Sequence, residues 1–200
     1  MSVTIALATR NRGKLAEFQD LFGSLDFTVQ SLDQLGVAEE VEETGETFAE
    51  NAALKARAAV LATGLPALAD DSGLEVDALG GEPGVRSARW AGAVGAADRN
   101  ARLLQRLAGV PDAERGARFV CVIAVCHPTG GSASARGEVA GRITRHPQGE
   151  NGFGYDPLFL LPDLGRTYAQ LTPEEKNGRS HRARAFAALR PLLPSLLLAR

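Results

Sequence analysis

The sequence predicts an α/β protein with a mixed twisted sheet flanked by helices, and three observations predict it. Short runs rich in branched apolar residues, the first being Val3 to Ala8, read as buried strands. Segments with helical spacing alternate with them, as in Lys14 to Phe22, where Leu15, Phe18, Leu21 and Phe22 form one stripe. The connections are glycine, proline and capping residues, with no repeat, linker or low-complexity tract. At 200 residues and 44% hydrophobic, the chain can bury one core, or two lobes sharing a cleft, so a single domain over 1–200 is expected.

Each element has its own signal. Val3 to Ala8 is a strand, Thr9 to Gly13 a polar loop and Lys14 to Phe22 a helix. Thr47 and Glu50 form a capping-box pair ahead of a helix to about Ala62, which Gly64-Leu65-Pro66 stops. Ala67 to Ala69 reads as a short strand entering an Asp70-Asp71-Ser72-Gly73 turn, and Leu74 to Leu79 as extended chain before the Gly80 to Gly84 loop. Ala97 to Leu107 is a helix; Arg118 to Cys126 and Ser134 to Thr144 are strands joined by Pro128-Thr129-Gly130-Gly131 and hence antiparallel. Gly149 to Asp156 is a glycine-rich loop. Thr172, Pro173 and Glu175 repeat the helix-start chemistry, Gly178 breaks that turn, and Ser180 caps a last helix from His181 to Arg190.

Composition excludes several classes of function. The 22 Lys and Arg nearly cancel the 24 Asp and Glu, so the basic face that nucleic acid requires is not evident. The stretch from Met1 and Ser2 to Ala8 lacks the length and cationic start of a secretory signal. Leu192 to Ala199 is broken by Pro194 and falls short of the roughly 20 residues of a membrane span. The expectation is a cytoplasmic protein without membrane or nucleic-acid partners. Cys121 and Cys126 lie five apart in an apolar run, which on a strand turns them to opposite faces; core packing is expected, and His127 beside them lacks further cysteines for a metal site.

The polar residues suggest chemistry. Thr9-Arg10-Asn11-Arg12-Gly13-Lys14 lies at a strand-to-helix junction, where unpaired N–H groups and the helix dipole favour an anion; the alternative is a capped turn. It is not a Walker A loop, because Leu15 stands where a hydroxyl residue would hold Mg²⁺. Of Asp70 and Asp71, alternation on a strand aims one at a site and the other elsewhere, unless both sit in a solvated turn. The acidic run Glu39, Glu40, Glu42, Glu43 and Glu46 is mostly solvated loop, yet one member with one aspartate suffices for a hard metal ion. Asn51 and Lys55 share a helix face at i, i+4. Asn151 to Pro157 offers Phe153 and Tyr155 for stacking on a nucleobase, or simply a tight turn. Lys176 to Arg182 concentrates donors at a helix start, against the dipole, as an anionic or carbonyl ligand would favour.

Six stretches taken in order, Thr9-x-Asn11-x-x-Lys14, Glu43 to Ala56, Asp70-Asp71-Ser72-Gly73-Leu74, Pro83 to Arg89, Gly152 to Pro157 and Glu175 to Arg182, resemble the Ham1/RdgB inosine triphosphate pyrophosphatase family over nearly the whole chain. The resemblance implies an ITPase-like fold with two lobes around a cleft, a Mg²⁺-dependent homodimer, and hydrolysis of the purine nucleotides ITP, dITP and XTP to monophosphate and pyrophosphate. It implies that Thr9, Arg10, Asn11, Arg12, Gly13 and Lys14 hold phosphates, that Glu43 and Asp71 hold the metal, and that Asp71 is also the base. It further implies that Lys55, Ser72, Phe153, Gly154, Tyr155, Asp156, Lys176, His181 and Arg182 contact substrate. Lys14, Lys55 and Lys176 would stabilise the departing pyrophosphate, and His181 and Arg182 would donate to a 6-keto oxygen. Arg10, Asn151 and Trp90 depart from the family's usual residues and bear on substrate preference. A terminal phosphatase and a nucleotide sensor without turnover are the competing expectations.

Overall fold

The computed structural model describes residues 3–23, 27–39 and 41–197; expectations resting on Met1, Ser2, Glu40 and the Leu198-Ala199 end of the apolar tail lie outside the described residues. In chain order the elements are β1 (Val3–Leu7), α1 (Arg12–Phe22), β2 (Phe27–Ser31), α2 (Phe48–Thr63), β3 (Ala67–Val76), α3 (Gly95–Arg106), β4 (Gly116–Cys126), β5 (Ser132–Ile143), β6 (Phe159–Leu161), β7 (Arg166–Thr167), α4 (Pro173–Asn177), α5 (His181–Leu189) and α6 (Leu193–Leu197). The strands form one seven-stranded sheet in the order β2-β1-β3-β4-β5-β6-β7. β1 runs parallel to β2 and β3, whereas β6 is antiparallel to β5 and β7, so the sheet is mixed, as the sequence predicts. Among the described residues no helix is long and apolar enough to cross a membrane.

The chain divides into two compact units, each built from separated segments. The first contains the chain up to Asp71, Cys121–Gly137 and the chain from Arg182 on. Its core gathers Ile5, Leu7, Phe18, Leu68, Ile123 and Leu189, with the Phe22 and Phe186 rings 4.8 Å apart. The second contains Ser72–Val120 and Glu138–His181, around Leu74, Leu103, Leu158, Phe159 and Tyr168. Phe119 joins that core by stacking on Tyr168 with centroids 5.7 Å apart. β4 is buried along most of its length, whereas β5 alternates buried and exposed residues beyond Arg136.

Local chemistry explains where the helices begin. Thr47 accepts from the Glu50 N–H, Glu50 returns the bond, and Gly64 ends α2 with φ of +67°, so the capping box and stop signal are both realised. Thr172 and Glu175 do the same for α4, with Pro173 at its first position. Two expectations need correction, and one strand, β2, has no sequence prediction. β3 is one strand through Asp70-Asp71-Ser72-Gly73, not two pieces around a turn, because Asp70 and Asp71 find charged partners and need no solvent. β2 carries little apolar signal and is held by backbone pairing to β1. Pro194 does not break the tail but lies in the first turn of α6, where it forfeits no hydrogen bond.

Candidate active site

Asp70 and Asp71 point to different surroundings from the middle of β3. Asp70 is buried; Oδ2 lies 3.0 Å from Lys14 Nζ and accepts from Arg182 Nη2 at 2.9 Å and Nε at 3.3 Å. Arg182 is itself fully buried and also donates to Glu17. Burial alone would raise the Asp70 carboxyl, but Lys14 and Arg182 overcome it and hold it far below its usual range. The same carboxylates keep the Arg182 guanidinium charged despite burial.

Asp71 faces α2. Its Oδ1 accepts from Lys55 Nζ at 2.8 Å and its Oδ2 lies 3.4 Å from Asn51 Nδ2, so residues one helical turn apart take the two oxygens. Lys55 also donates to Glu43 Oε1 at 2.8 Å. Asn51 is fully buried, and its Oδ1 accepts from the Gly45 N–H at 2.8 Å, which fixes the segment leading from Glu43 into α2. A Cβ at position 45 would come within 2.7 Å of Asn51 Oδ1, so this approach needs glycine. Burial pushes the Asp71 carboxyl above its ordinary value, with Lys55 offsetting part of the shift. The Lys55 ammonium, opposed by burial but favoured by Asp71 and then Asp70, is held above its own ordinary value.

A metal reading can be tested on this donor set. Among the described residues no three His, Cys, Asp or Glu side chains group into a metal site. Glu43 and Asp71 nevertheless bring two carboxylate oxygens within hydrogen-bond distance of one cation, which fits the one or two carboxylates that Mg²⁺ takes alongside water and phosphate.

The junction at Thr9 to Lys14 takes the capped-turn form that the sequence left open. Asn11 is the N-cap of α1: its Oδ1 accepts from Gly13 N at 2.9 Å and Lys14 N at 3.2 Å, so those N–H groups are paired within the turn. Thr9 Oγ1 accepts from the Asn11 N–H at 3.3 Å. Arg12, exposed, opens the helix. Arg10, expected at the phosphates, directs Nη2 to the carbonyls of Val37 at 3.0 Å, Ala38 at 2.7 Å and Glu39 at 3.3 Å, clasping the segment that opens the acidic run.

In the second unit, Asp156 organises the glycine-rich loop. Its Oδ2 accepts from Phe153 N at 2.8 Å and from the buried Lys176 Nζ at 2.6 Å. Lys176 lies 4.5 Å from the Phe153 ring centroid and 5.6 Å from that of Tyr168. It belongs to the last turn of α4, where a cation suits the dipole, so the expected conflict at a helix start does not apply to it. Gly152 turns the loop with φ of +74°. Tyr155 is buried with its hydroxyl donating to the Ser87 carbonyl at 3.1 Å, and burial pushes that hydroxyl up to about 12. Gly154 O accepts from Asn100 at 3.1 Å; Asn151 donates to Leu171 O at 2.9 Å. Ser72 is half-buried, and the buried His181 ring stacks on Phe119 at 4.8 Å.

Lys14 and Arg182 are thus gathered on Asp70, and Lys55 joins Glu43 to Asp71, two ion-paired groups of the first unit at adjacent strand positions, while Phe153, Asp156 and Lys176 form a cluster in the second unit. Arg182, expected to meet substrate, is occupied by Asp70 and Glu17; Lys176, expected at the pyrophosphate, is enclosed by Asp156 and two rings. Sequence reasoning missed Glu17, Ser87 and Asn100. For Glu17 the signal was an acid beside Phe18 on the apolar stripe of α1. Cys121 and Cys126 are buried free thiols, as expected, but Cys121 Sγ also lies 3.8 Å from Asp70 Oδ2.

Comparison with known proteins places this geometry in context. A model of the Ham1 family matches residues 5–192. A dITP/XTP pyrophosphatase of Symbiobacterium thermophilum is 54% identical over 193 residues, spanning 96% of each chain. One of Nitratidesulfovibrio vulgaris is 51% identical over 199 residues, again spanning 96% of each. The structure of a HAM1 protein from Coxiella burnetii superposes with a TM-score of 0.87 at 44% identity, covering 96% of this chain and 99% of that one.

Proposed function

This chain belongs to the Ham1 family, and from that premise we propose that it hydrolyses the non-canonical purine nucleoside triphosphates ITP, dITP and XTP to the nucleoside monophosphate and pyrophosphate. Acting as a cytoplasmic homodimer, it removes these nucleotides before they enter DNA or RNA. The observation that carries the reading is the shared contact of Glu43 and Asp71 with one ammonium, which puts a base and a second hard ligand at a single cation position.

Asp71 takes the proton of the attacking water, and a carboxyl raised above its ordinary value is a better base for that step. Glu43 and Asp71 hold Mg²⁺, which when bound neutralises phosphate charge and acidifies water. Lys55 and Lys14, each already held by a carboxylate, turn their charge toward the departing pyrophosphate. Thr9, Asn11, Arg12 and Gly13 line the phosphate end, although the Asn11 side chain first serves as a helix cap. Arg10 acts by holding Val37 and Ala38 in place.

Phe153 offers a ring for the purine, held from beside by Lys176 and through its backbone by Asp156. Ser72, Gly154, Tyr155 and His181 complete the substrate contacts, and Arg182 acts through Asp70. Donation to the purine edge by His181 and loop N–H groups favours a 6-keto oxygen and leaves donors unpaired against the 6-amino group of adenine, a discrimination on the order of 10⁴-fold. A Mg²⁺-dependent assay over ITP, XTP, GTP and ATP that separates pyrophosphate from orthophosphate tests the proposal. Pyrophosphate from ITP and XTP is the expected result; orthophosphate as the product, or equal turnover of ATP and ITP, contradicts it.

A further inference from the structure

Lys55 reaches the carboxylates from a helix whose position is fixed twice, by the capping box at Thr47 and by the buried Asn51 one turn earlier. Its ammonium donates to Glu43 Oε1 and Asp71 Oδ1 at the same 2.8 Å, and its side chain is 14% exposed. Two oxygens so placed around one positive charge form the arrangement that a divalent ion needs from the protein. Magnesium binds carboxylate oxygens at about 2.0–2.1 Å, so two cations sharing the same pair would repel at close range.

The surrounding charges limit where the ammonium's role can be transferred. Lys14 and Arg182 are engaged by Asp70, and Arg182 by Glu17 as well. Lys55 stands at hydrogen-bond distance from both Glu43 and Asp71. We propose that Lys55 is a built-in counter-ion that competes with the divalent metal for Glu43 and Asp71, and that it leaves them when substrate phosphates take up its charge. Metal and nucleotide then bind with positive coupling, each easing the other's entry. The inference rests on the assignment of Glu43 and Asp71 as metal ligands.

Manganese binding, followed by the loss of the free-ion electron paramagnetic resonance signal, tests it without turnover. The wild-type chain, Lys55→Met and Lys55→Arg are titrated with and without a non-hydrolysable purine triphosphate. Without nucleotide, Lys55→Met binds manganese at least about tenfold more tightly than wild type, because an opposing charge is gone, while Lys55→Arg stays weak. With the analogue present, wild-type affinity rises towards that of Lys55→Met. Equal or weaker binding by Lys55→Met, in a wild-type protein that does bind manganese, overturns the competition but leaves the ligand assignment standing. Absence of binding in both proteins, with the analogue as well as without, overturns the ligand assignment and the inference with it. Should Lys55→Met not fold, amine labelling of wild-type Lys55 read by mass spectrometry decides: labelling that rises with Mg²⁺ supports displacement, and unchanged labelling overturns it.

Discussion

Asp70 and Asp71 share a strand and a peptide bond but not a chemistry. Asp70 is enclosed by Lys14 and Arg182 and held far below the usual carboxylate range, so it is a permanent anion that ties α1 and α5 to the sheet. Asp71 has Lys55 and Asn51 at its oxygens, is raised by burial and shares its cation with Glu43. The difference teaches that strand alternation can divide one acidic pair into a carboxylate locked by counter-charge and one raised by burial, provided the two faces differ in how fully they supply counter-charge.

The comparison breaks most visibly at Asp71. Asp71→Asn removes the base and should lower kcat by about 10²- to 10⁴-fold with the urea unfolding midpoint preserved; near-normal activity would refute the assignment. Asp70→Asn should act in the opposite sense, costing roughly 3–5 kcal/mol of stability in urea unfolding because it leaves Arg182 buried with one partner fewer. An Asp70→Asn protein as stable as wild type would show that the Lys14 and Arg182 contacts hold nothing together.

The pH dependence sharpens the contrast. Asp70 is lowered in the fold, so its contribution to stability is present above the ordinary carboxylate value of 3.8 and is lost as pH falls through its depressed one. Asp71 is raised, so its contribution is full below 3.8 and is lost as pH rises through its elevated one. Without divalent ions, the stability differences of the two Asn variants from wild type should therefore diverge as pH rises from 3 to 7, in roughly opposite directions. Asp70→Asn becomes relatively less stable and Asp71→Asn relatively more; parallel curves in urea denaturation would remove the distinction. The smallest effect is expected at Cys121→Ala, which takes a weak donor from Asp70 and should cost about 1 kcal/mol by thermal unfolding while leaving kcat as it is.

Much of this was legible in the sequence where the interaction is local. Thr47 with Glu50, Thr172 with Glu175, and the shared face of Asn51 and Lys55 depend on spacing within a turn or two, and spacing is visible in a linear chain. The opposite orientations of Asp70 and Asp71 followed from alternation. What could not be read was long-range pairing. Asp70 looked like a turn residue because its salt bridge partner Arg182 lies 112 positions away. The clasp of Arg10 on the carbonyls of Val37 and Ala38 carries no mark in the sequence. Lys176 reads as a donor at a helix start, and its enclosure by Asp156 and two aromatic rings carries no mark in the sequence either.

The unbroken course of β3 has a consequence for how this chain can change. Inserting a single residue ahead of Asp70 within the strand would slip the register and rotate every downstream side chain to the opposite face. The carboxylate now meeting Lys55 would be carried toward Arg182, and its neighbour would be carried the other way. Substitutions along the strand are graded, but insertions and deletions exchange two identities at once, so homologous chains are expected to differ in residue type between positions 67 and 76 and not in the number of residues.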